Sequence, residues 1–139
     1  MKARSYMTFT GQCNEAIELY KRAFNTETQE ILLFGQMPPD PNFTFPDEYK
    51  DKVLQATLTI GDDFIRMSDC GPGHPLNDAE TEKLSIAIEA ASIDEIKHAF
   101  AVLSEEGRVG MPLMETFYSP CFGVVFDKFG VMWNLSAMK

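Results

Sequence analysis

The feature that most constrains the fold is an internal repeat of secondary-structure patterns. In each half of the chain a short apolar strand pattern precedes a helical pattern, and three further strand patterns follow. Shifting the first helical pattern by about 80 positions superimposes its apolar residues on those of the second. The superimposed pairs are Ala16 with Ile96, Leu19 with Ala99, Tyr20 with Phe100, and Ala23 with Leu103. Since one half alone is too small to cover its sheet, we expect the halves to pair and bury their apolar faces.

The first half, residues 1–70, is predicted to be β-α-β-β-β. A strand over 6–10 precedes a helix over 14–25, in which apolar residues recur at helical spacing. The remaining strand patterns are 31–34, 53–60 and 64–68. A proline-rich arm, residues 35–52, interrupts this half, and its prolines disfavour both a helix and strand pairing. A loop of this length is typical of a lid or an interface arm.

The second half, residues 83–139, repeats the same order after a linker over 71–82. Ser92 and Glu95 form a capping box for a helix over 93–105, and Gly107 is predicted to end it. The strand patterns are 84–88, 109–113, 122–126 and 131–135. The predicted fold class is therefore α+β, with two βαβββ modules in one compact domain.

Charge and composition exclude some classes of protein. The net charge of −9 and the scattered basic residues argue against a nucleic-acid partner. No apolar run approaches the roughly 18 residues of a membrane span. Three cysteines without CxxC spacing favour reduced thiols, so we expect a cytoplasmic protein. Cys13 lies at a helix start that could lower its thiol pKa, but simple packing is the favoured interpretation.

Several blocks of the sequence are similar to one known family. The blocks are residues 8–20, 37–39, 49–53, 60–62, 111–113, 115–118 and 127–133. They resemble the PhnB-like branch of the vicinal-oxygen-chelate superfamily, which includes glyoxalase I, bleomycin-resistance proteins and extradiol dioxygenases. The resemblance implies the glyoxalase/bleomycin-resistance fold, in which tandem βαβββ modules form curved mixed sheets around a pocket. It also implies a homodimer, for which the arm over 35–52 could reach across the two-fold axis.

The pocket lining follows from strand alternation, once the apolar side of each sheet is assigned to the helices. The predicted ligand-binding residues are Gln55, Thr57, Phe64, Arg66, Ser68, Glu115, Phe117, Tyr118, Met132 and Asn134. Trp133 is a further residue that could stack on a ligand, although core packing explains it equally well. Glu115 is the candidate catalytic residue; the alternative is a surface acid, or one paired with Arg66 or Lys83.

Metal-dependent relatives, as the resemblance implies, use His and Glu ligands on four inward-facing strands. The matching positions here are Ser5, Arg66, Lys83 or Ser85, and Asn134. None is a good ligand for a divalent ion, and a guanidinium repels it. We therefore expect neither a metal nor another cofactor.

The first functional hypothesis is metal-independent binding of a small molecule. The alternative is a lyase, isomerase or dioxygenase-type enzyme of the same superfamily that uses a divalent metal or Glu115. An interaction role for the proline-rich arm is a third possibility. PhnB-like proteins have also been described as demethylubiquinone methyltransferases, but the sequence has no glycine-rich GxGxxG loop to support that activity.

Overall fold

The computed structural model describes residues 1–74 and 82–139, and it divides them into two compact units. Residues 1–21 and 26–74 form the first unit, and residues 22–25 and 82–139 form the second. Most of the predicted linker, residues 75–81, lies outside the described residues. No helix in the described ranges is long and apolar enough to cross a membrane.

The first unit is a four-stranded mixed sheet with one helix. Its elements are β1 (Tyr6–Phe9), α1 (Cys13–Phe24) except for its last residues from 22 onward, β2 (Thr28–Leu33), β3 (Val53–Ile60) and β4 (Asp63–Asp69). The strand order is β1-β4-β3-β2, in which β1 runs parallel to β4 and the other pairs are antiparallel. The predicted alternation is confirmed, because Ala56 and Leu58 on β3 and Met67 on β4 are fully buried.

The second unit repeats this topology. Its elements are β5 (Ile86–Ala90), α2 (Ile93–Leu103), β6 (Arg108–Met114), β7 (Phe122–Phe126) and β8 (Met132–Ala137). The strand order is β5-β8-β7-β6, so the first strand again pairs with the fourth in parallel. The internal repeat predicted from the sequence is thereby confirmed as two βαβββ units with one strand order.

The ends of α2 show one prediction confirmed and one refined. Ser92 caps the helix, since its hydroxyl accepts hydrogen bonds from the backbone N–H groups of Asp94 at 3.1 Å and Glu95 at 3.3 Å. After the helix, the left-handed residue is Glu106, with φ of 56°, and not Gly107. Gly107 is required for another reason, because a Cβ there would lie 2.4 Å from the carbonyl oxygen of Phe126.

The proline-rich arm folds back on its own unit as a closed loop. The N–H of Phe34 donates to the carbonyl of Lys52 at 3.0 Å, and that of Gly35 donates to the carbonyl of Lys50 at 2.9 Å. Two short 3-10 turns, Phe34–Gln36 and Asp47–Tyr49, occur where the prolines had argued against any helix. Such turns need few backbone hydrogen bonds, so neighbouring prolines tolerate them.

An aromatic cluster holds this loop together. The ring of Phe34 is buried, and its centroid lies 5.0 Å from Tyr49, 5.8 Å from Phe45 and 6.0 Å from Phe43. The hydroxyl of Tyr49 also donates to the carbonyl of Cys70. Aromatic pairs at these distances add to the energy of burial. The loop is therefore packed within the first unit by its own side chains.

Candidate functional site

A row of side chains crosses one face of the first sheet. In strand order the row is Tyr6, Arg66, Thr57 and Glu30, because Tyr6 pairs with Arg66, Arg66 with Thr57, and Thr57 with Glu30. Directly paired residues project from the same face of a sheet. This face, which we call the polar face, is opposite the buried apolar face that contains Ala56 and Leu58.

The five ligand-binding residues predicted in the first half all lie on the polar face. They are Gln55, Thr57, Phe64, Arg66 and Ser68, and the strand register fixes their side. Ser68 is the most buried of them, at 7% exposed, and the other four are half-buried. Their predicted placement on one face is thus confirmed; their contact with a ligand stays a prediction.

Arg66 is the cationic centre of the polar face. Its guanidinium forms no ion pair with any carboxylate in the described part of the first unit. Its Nε is buried and has no hydrogen-bond partner among residues 1–74 and 82–139, and the same is true of the Oγ1 of Thr59. A buried polar group left unpaired costs about 1–3 kcal/mol, so a partner at these atoms would stabilise the fold.

An aromatic ring supports this cation. The Cζ of Arg66 lies 5.5 Å from the centroid of Phe64, and the Cζ of Arg4 lies 4.6 Å from the same centroid. Arg4 has a carboxylate partner, Asp63, at 3.7 Å. Both guanidinium groups are thus positioned by cation–π contact with one side chain.

Asp69 fixes the end of β4 beneath this face, and sequence reasoning missed it. Its carboxylate accepts three backbone hydrogen bonds, from Gly11 at 2.8 Å and from Cys13 and Val53 at 3.0 Å. The side chain is only 3% exposed, although carboxylates are rarely buried this deeply. A buried carboxylate needs several donors, and two segments supply them here: the turn that leads into α1 and the start of β3. No local pattern signals this arrangement, because the partners are distant along the chain.

The environment of Asp69 also explains the state of Cys13. Burial raises the pKa of the Cys13 thiol far above its ordinary value, and the nearby charge of Asp69 raises the pKa further. This outweighs any lowering by the start of α1. Cys13 is therefore a packed thiol and not a nucleophile, as the sequence interpretation favoured.

The second unit places its predicted ligand-binding residues in two groups. Met132 and Asn134 project from one face of β8, and the amide of Asn134 donates to Ser85 Oγ at 2.5 Å. Glu115, Phe117 and Tyr118 follow β6 in an exposed loop, where Phe117 is 89% exposed. Whether these residues join the polar face in one pocket stays a prediction.

Trp133 is a core residue and does not line a ligand site. It is fully buried, and its indole N–H donates to the carboxylate of Asp127 at 2.9 Å. Asp127 also accepts hydrogen bonds from the N–H groups of Phe129 and Val131. The suggestion that Trp133 stacks on a ligand is wrong, because alternation along β8 directs its ring to the buried side of the sheet.

The side chains at the expected ligand positions do not fit a divalent metal. Arg66 occupies one position with a fixed positive charge, and Asn134 and Ser85 are hydrogen-bonded to each other at two more. Nowhere in the part of the chain that the structure describes do three His, Cys, Asp or Glu side chains form a group suited to a metal ion. Anionic or imidazole donors are what such ions require.

Comparison with known proteins decides the family. The model of a family described as 3-demethylubiquinone-9 3-methyltransferase matches residues 1–136. The chain belongs to this PhnB-like family. It is 30% identical to protein YjdN of Escherichia coli strain K12, and the match covers 100% of this chain and 97% of YjdN.

Solved structures of this family and superfamily have the same fold. Protein PA1353 from Pseudomonas aeruginosa superposes with a TM-score of 0.82 at 31% identity, over 99% of this chain and 98% of that one. A putative 3-demethylubiquinone-9 3-methyltransferase, PhnB protein, from Bacillus cereus gives 0.76 at 25% identity, over 99% of both chains. A glyoxylase/bleomycin resistance protein/dioxygenase domain from Frankia gives 0.66 at 8% identity, over 100% and 98%. The resemblance and the fold class predicted from the sequence are thus confirmed.

The methyltransferase in the family description implies a methyl-donor cofactor, and the described residues do not fit one. Each unit is a small mixed sheet in which only one strand pair is parallel. Dinucleotide and related cofactors are usually bound at the carboxyl ends of a larger parallel sheet, next to a glycine-rich loop. Membership of the PhnB-like family therefore rests on fold and sequence.

Proposed function

We propose that this PhnB-like protein binds a small organic molecule on the polar face of its first sheet, without a divalent metal. The observation that supports the proposal is that Gln55, Thr57, Phe64, Arg66 and Ser68 share this face. Hydrogen-bonding groups beside an aromatic ring are the usual composition of a ligand site. The cation at Arg66 stands where a metal ligand would be needed, which favours direct binding over chelation.

Filling the polar face tests the proposal. Thr57 is half-buried in the centre of the row, so Thr57→Phe would place a bulky ring over the face. Thr44→Phe is the matched control, since Thr44 is exposed in the arm of the same unit. We expect protein purified without added metal salts to release a co-purified small molecule on denaturation, as detected by mass spectrometry. The Thr57→Phe protein should lose that molecule, and the Thr44→Phe protein should retain it.

Two results would contradict this function. Equal retention of the small molecule by both variants would mean that the polar face does not bind it. A stoichiometric divalent ion in protein prepared without chelators would favour the enzyme alternative, in which a metal or Glu115 takes part. Elemental analysis of the same samples measures the ion directly.

We also propose that the chain forms a homodimer. Exposed apolar side chains lie along and after β6, which is an edge strand, and they include Val109, Met111, Met114 and Phe117. Unpaired edges with apolar side chains favour association. Size-exclusion chromatography with light scattering measures the mass, and a monomer at micromolar concentration would refute the proposal.

A further inference from the structure

We propose that the ligand of the polar face carries an oxyanion, such as a carboxylate or a phosphate, which binds to the guanidinium of Arg66 and the hydroxyl of Thr59. This inference rests on the proposed function and adds the chemical class of the ligand. The two atoms that define the site are Arg66 Nε and Thr59 Oγ1, both buried and both without a hydrogen-bond partner in the part of the chain that the structure describes.

The unpaired atoms lie on the same face and on adjacent strands. Thr59 pairs with Phe64, and Thr57 pairs with Arg66, so Thr59 is the diagonal neighbour of Arg66. Diagonal positions are about 7–8 Å apart, a separation that one bound group can bridge when a long side chain extends toward it. Nε is a donor, and the threonine hydroxyl can donate as well. Two donors without acceptors among the described residues favour an acceptor group, and an oxyanion is the strongest one.

The local charge agrees with an anion. Arg4 and Arg66 both contact Phe64, but within the described residues of the first unit only Arg4 has a carboxylate partner, Asp63, whose side chain is 84% exposed. The nearest acid in the row is Glu30, which is exposed and lies two strands away, beyond Thr57. Two strand spacings are about 10 Å, where salt already screens much of its effect.

The geometry of Arg66 favours a planar group. A guanidinium presents Nε and one terminal nitrogen as a fork that matches two oxygens of a carboxylate or a phosphate. Contact with the ring of Phe64 limits the rotation of this fork, so less conformational entropy is lost on binding. The same ring offers an apolar surface to the body of a ligand that bears the anion.

The test compares an aromatic anion with its neutral amide, and adds inorganic phosphate as a third probe. Benzoate and benzamide have the same shape, and inorganic phosphate lacks the apolar ring. Each probe is to be titrated into the protein while the arginine Nε–H resonances are followed by NMR. The resonance of Arg66 is identified as the one that is missing from the spectrum of Arg66→Gln. We expect benzoate to shift this resonance and benzamide to leave it unchanged. If phosphate shifts the Arg66 resonance and benzoate does not, the result would also support an oxyanion ligand, and it would identify phosphate as the preferred anion.

Matched variants separate the site from general charge effects. Arg66→Gln should weaken benzoate binding by about tenfold or more, since a charge-assisted contact is lost. Arg22→Gln makes the same charge change at an exposed residue that pairs with Glu105, and it should bind like the unaltered protein. Two milder variants test the site if Arg66→Gln is unstable. Arg66→Lys keeps the positive charge, Thr59→Val keeps the side-chain shape, and each should weaken benzoate binding.

The outcomes distinguish this inference from the proposed function. The inference of an oxyanion is refuted if benzamide binds the polar face as tightly as benzoate, or if Arg22→Gln loses as much binding as Arg66→Gln. Neither result would contradict the proposed binding of a small molecule. If no probe shifts resonances of the polar face and no small molecule co-purifies with the protein, both are refuted.

Discussion

Replacing Asp69 by Asn tests whether this buried carboxylate organises the first unit. Asn has the same shape, and its amide oxygen can keep the bonds from Gly11 and Cys13 at 2.8 and 3.0 Å. Its NH2 group would then face the N–H of Val53, which now donates to the second carboxylate oxygen at 3.0 Å. Two donors would meet there without an acceptor, in a region where Val53 is fully buried.

The expected loss of stability follows from these three bonds. Leaving the buried N–H of Val53 unpaired costs about 1–3 kcal/mol, and turning two charge-assisted bonds into neutral ones costs about 1 kcal/mol each. Removing a buried charge offsets part of this loss of stability, because the charge no longer has to be desolvated on folding. We therefore expect the free energy of unfolding to fall by about 3 kcal/mol, which lowers the melting temperature by about 10 °C for a chain of this size.

Urea unfolding followed by far-UV circular dichroism measures this difference. Asp62→Asn is the matched control, since Asp62 is exposed in the turn before β4, and it should change stability by less than about 0.5 kcal/mol. Hydrogen exchange should also become faster at the amides of Gly11, Cys13 and Val53. A loss below about 1 kcal/mol for Asp69→Asn, with unchanged exchange, would refute the role given to this carboxylate.

Three further predictions concern backbone strain, thiol chemistry and capping. Two adjacent substitutions after α2 should change the free energy of unfolding in opposite directions, as measured in thermal melts. Glu106→Gly should stabilise the protein by about 0.5–1 kcal/mol, because glycine adopts the left-handed conformation of Glu106 without strain. Gly107→Ala should destabilise it by about 2 kcal/mol or more, because the added Cβ clashes with the carbonyl oxygen of Phe126. Alkylation of the native protein with iodoacetamide, read by peptide mass spectrometry, should modify the half-buried Cys70 much faster than Cys13; equal rates would contradict the raised pKa of Cys13. Ser92→Ala should lower the free energy of unfolding by about 1 kcal/mol in urea, and no loss would mean that its cap contributes nothing.

Local patterns were sufficient to predict most of the fold. Period-two alternation identified β3, and helical spacing with a Ser92 cap identified α2, because these signals depend only on near neighbours. The shift of about 80 positions predicted the repeated strand order, which the two sheets confirm. Alternation also predicted which side of β3 and β4 is polar, and hence five members of the candidate site.

Tertiary structure alone decided which groups are paired. The sequence contains Asp69 and Arg66 as ordinary charged residues, yet Asp69 accepts three backbone hydrogen bonds, whereas Arg66 has no carboxylate partner among the described residues of its unit. The partners of Asp69 are 16 to 58 residues away, so no window of sequence contains the pattern. The closed loop of the arm is a similar case, since Phe34 and Tyr49 meet only after the chain returns. Alternation determines the face on which a side chain lies, whereas its partners depend on which distant segments the fold brings together.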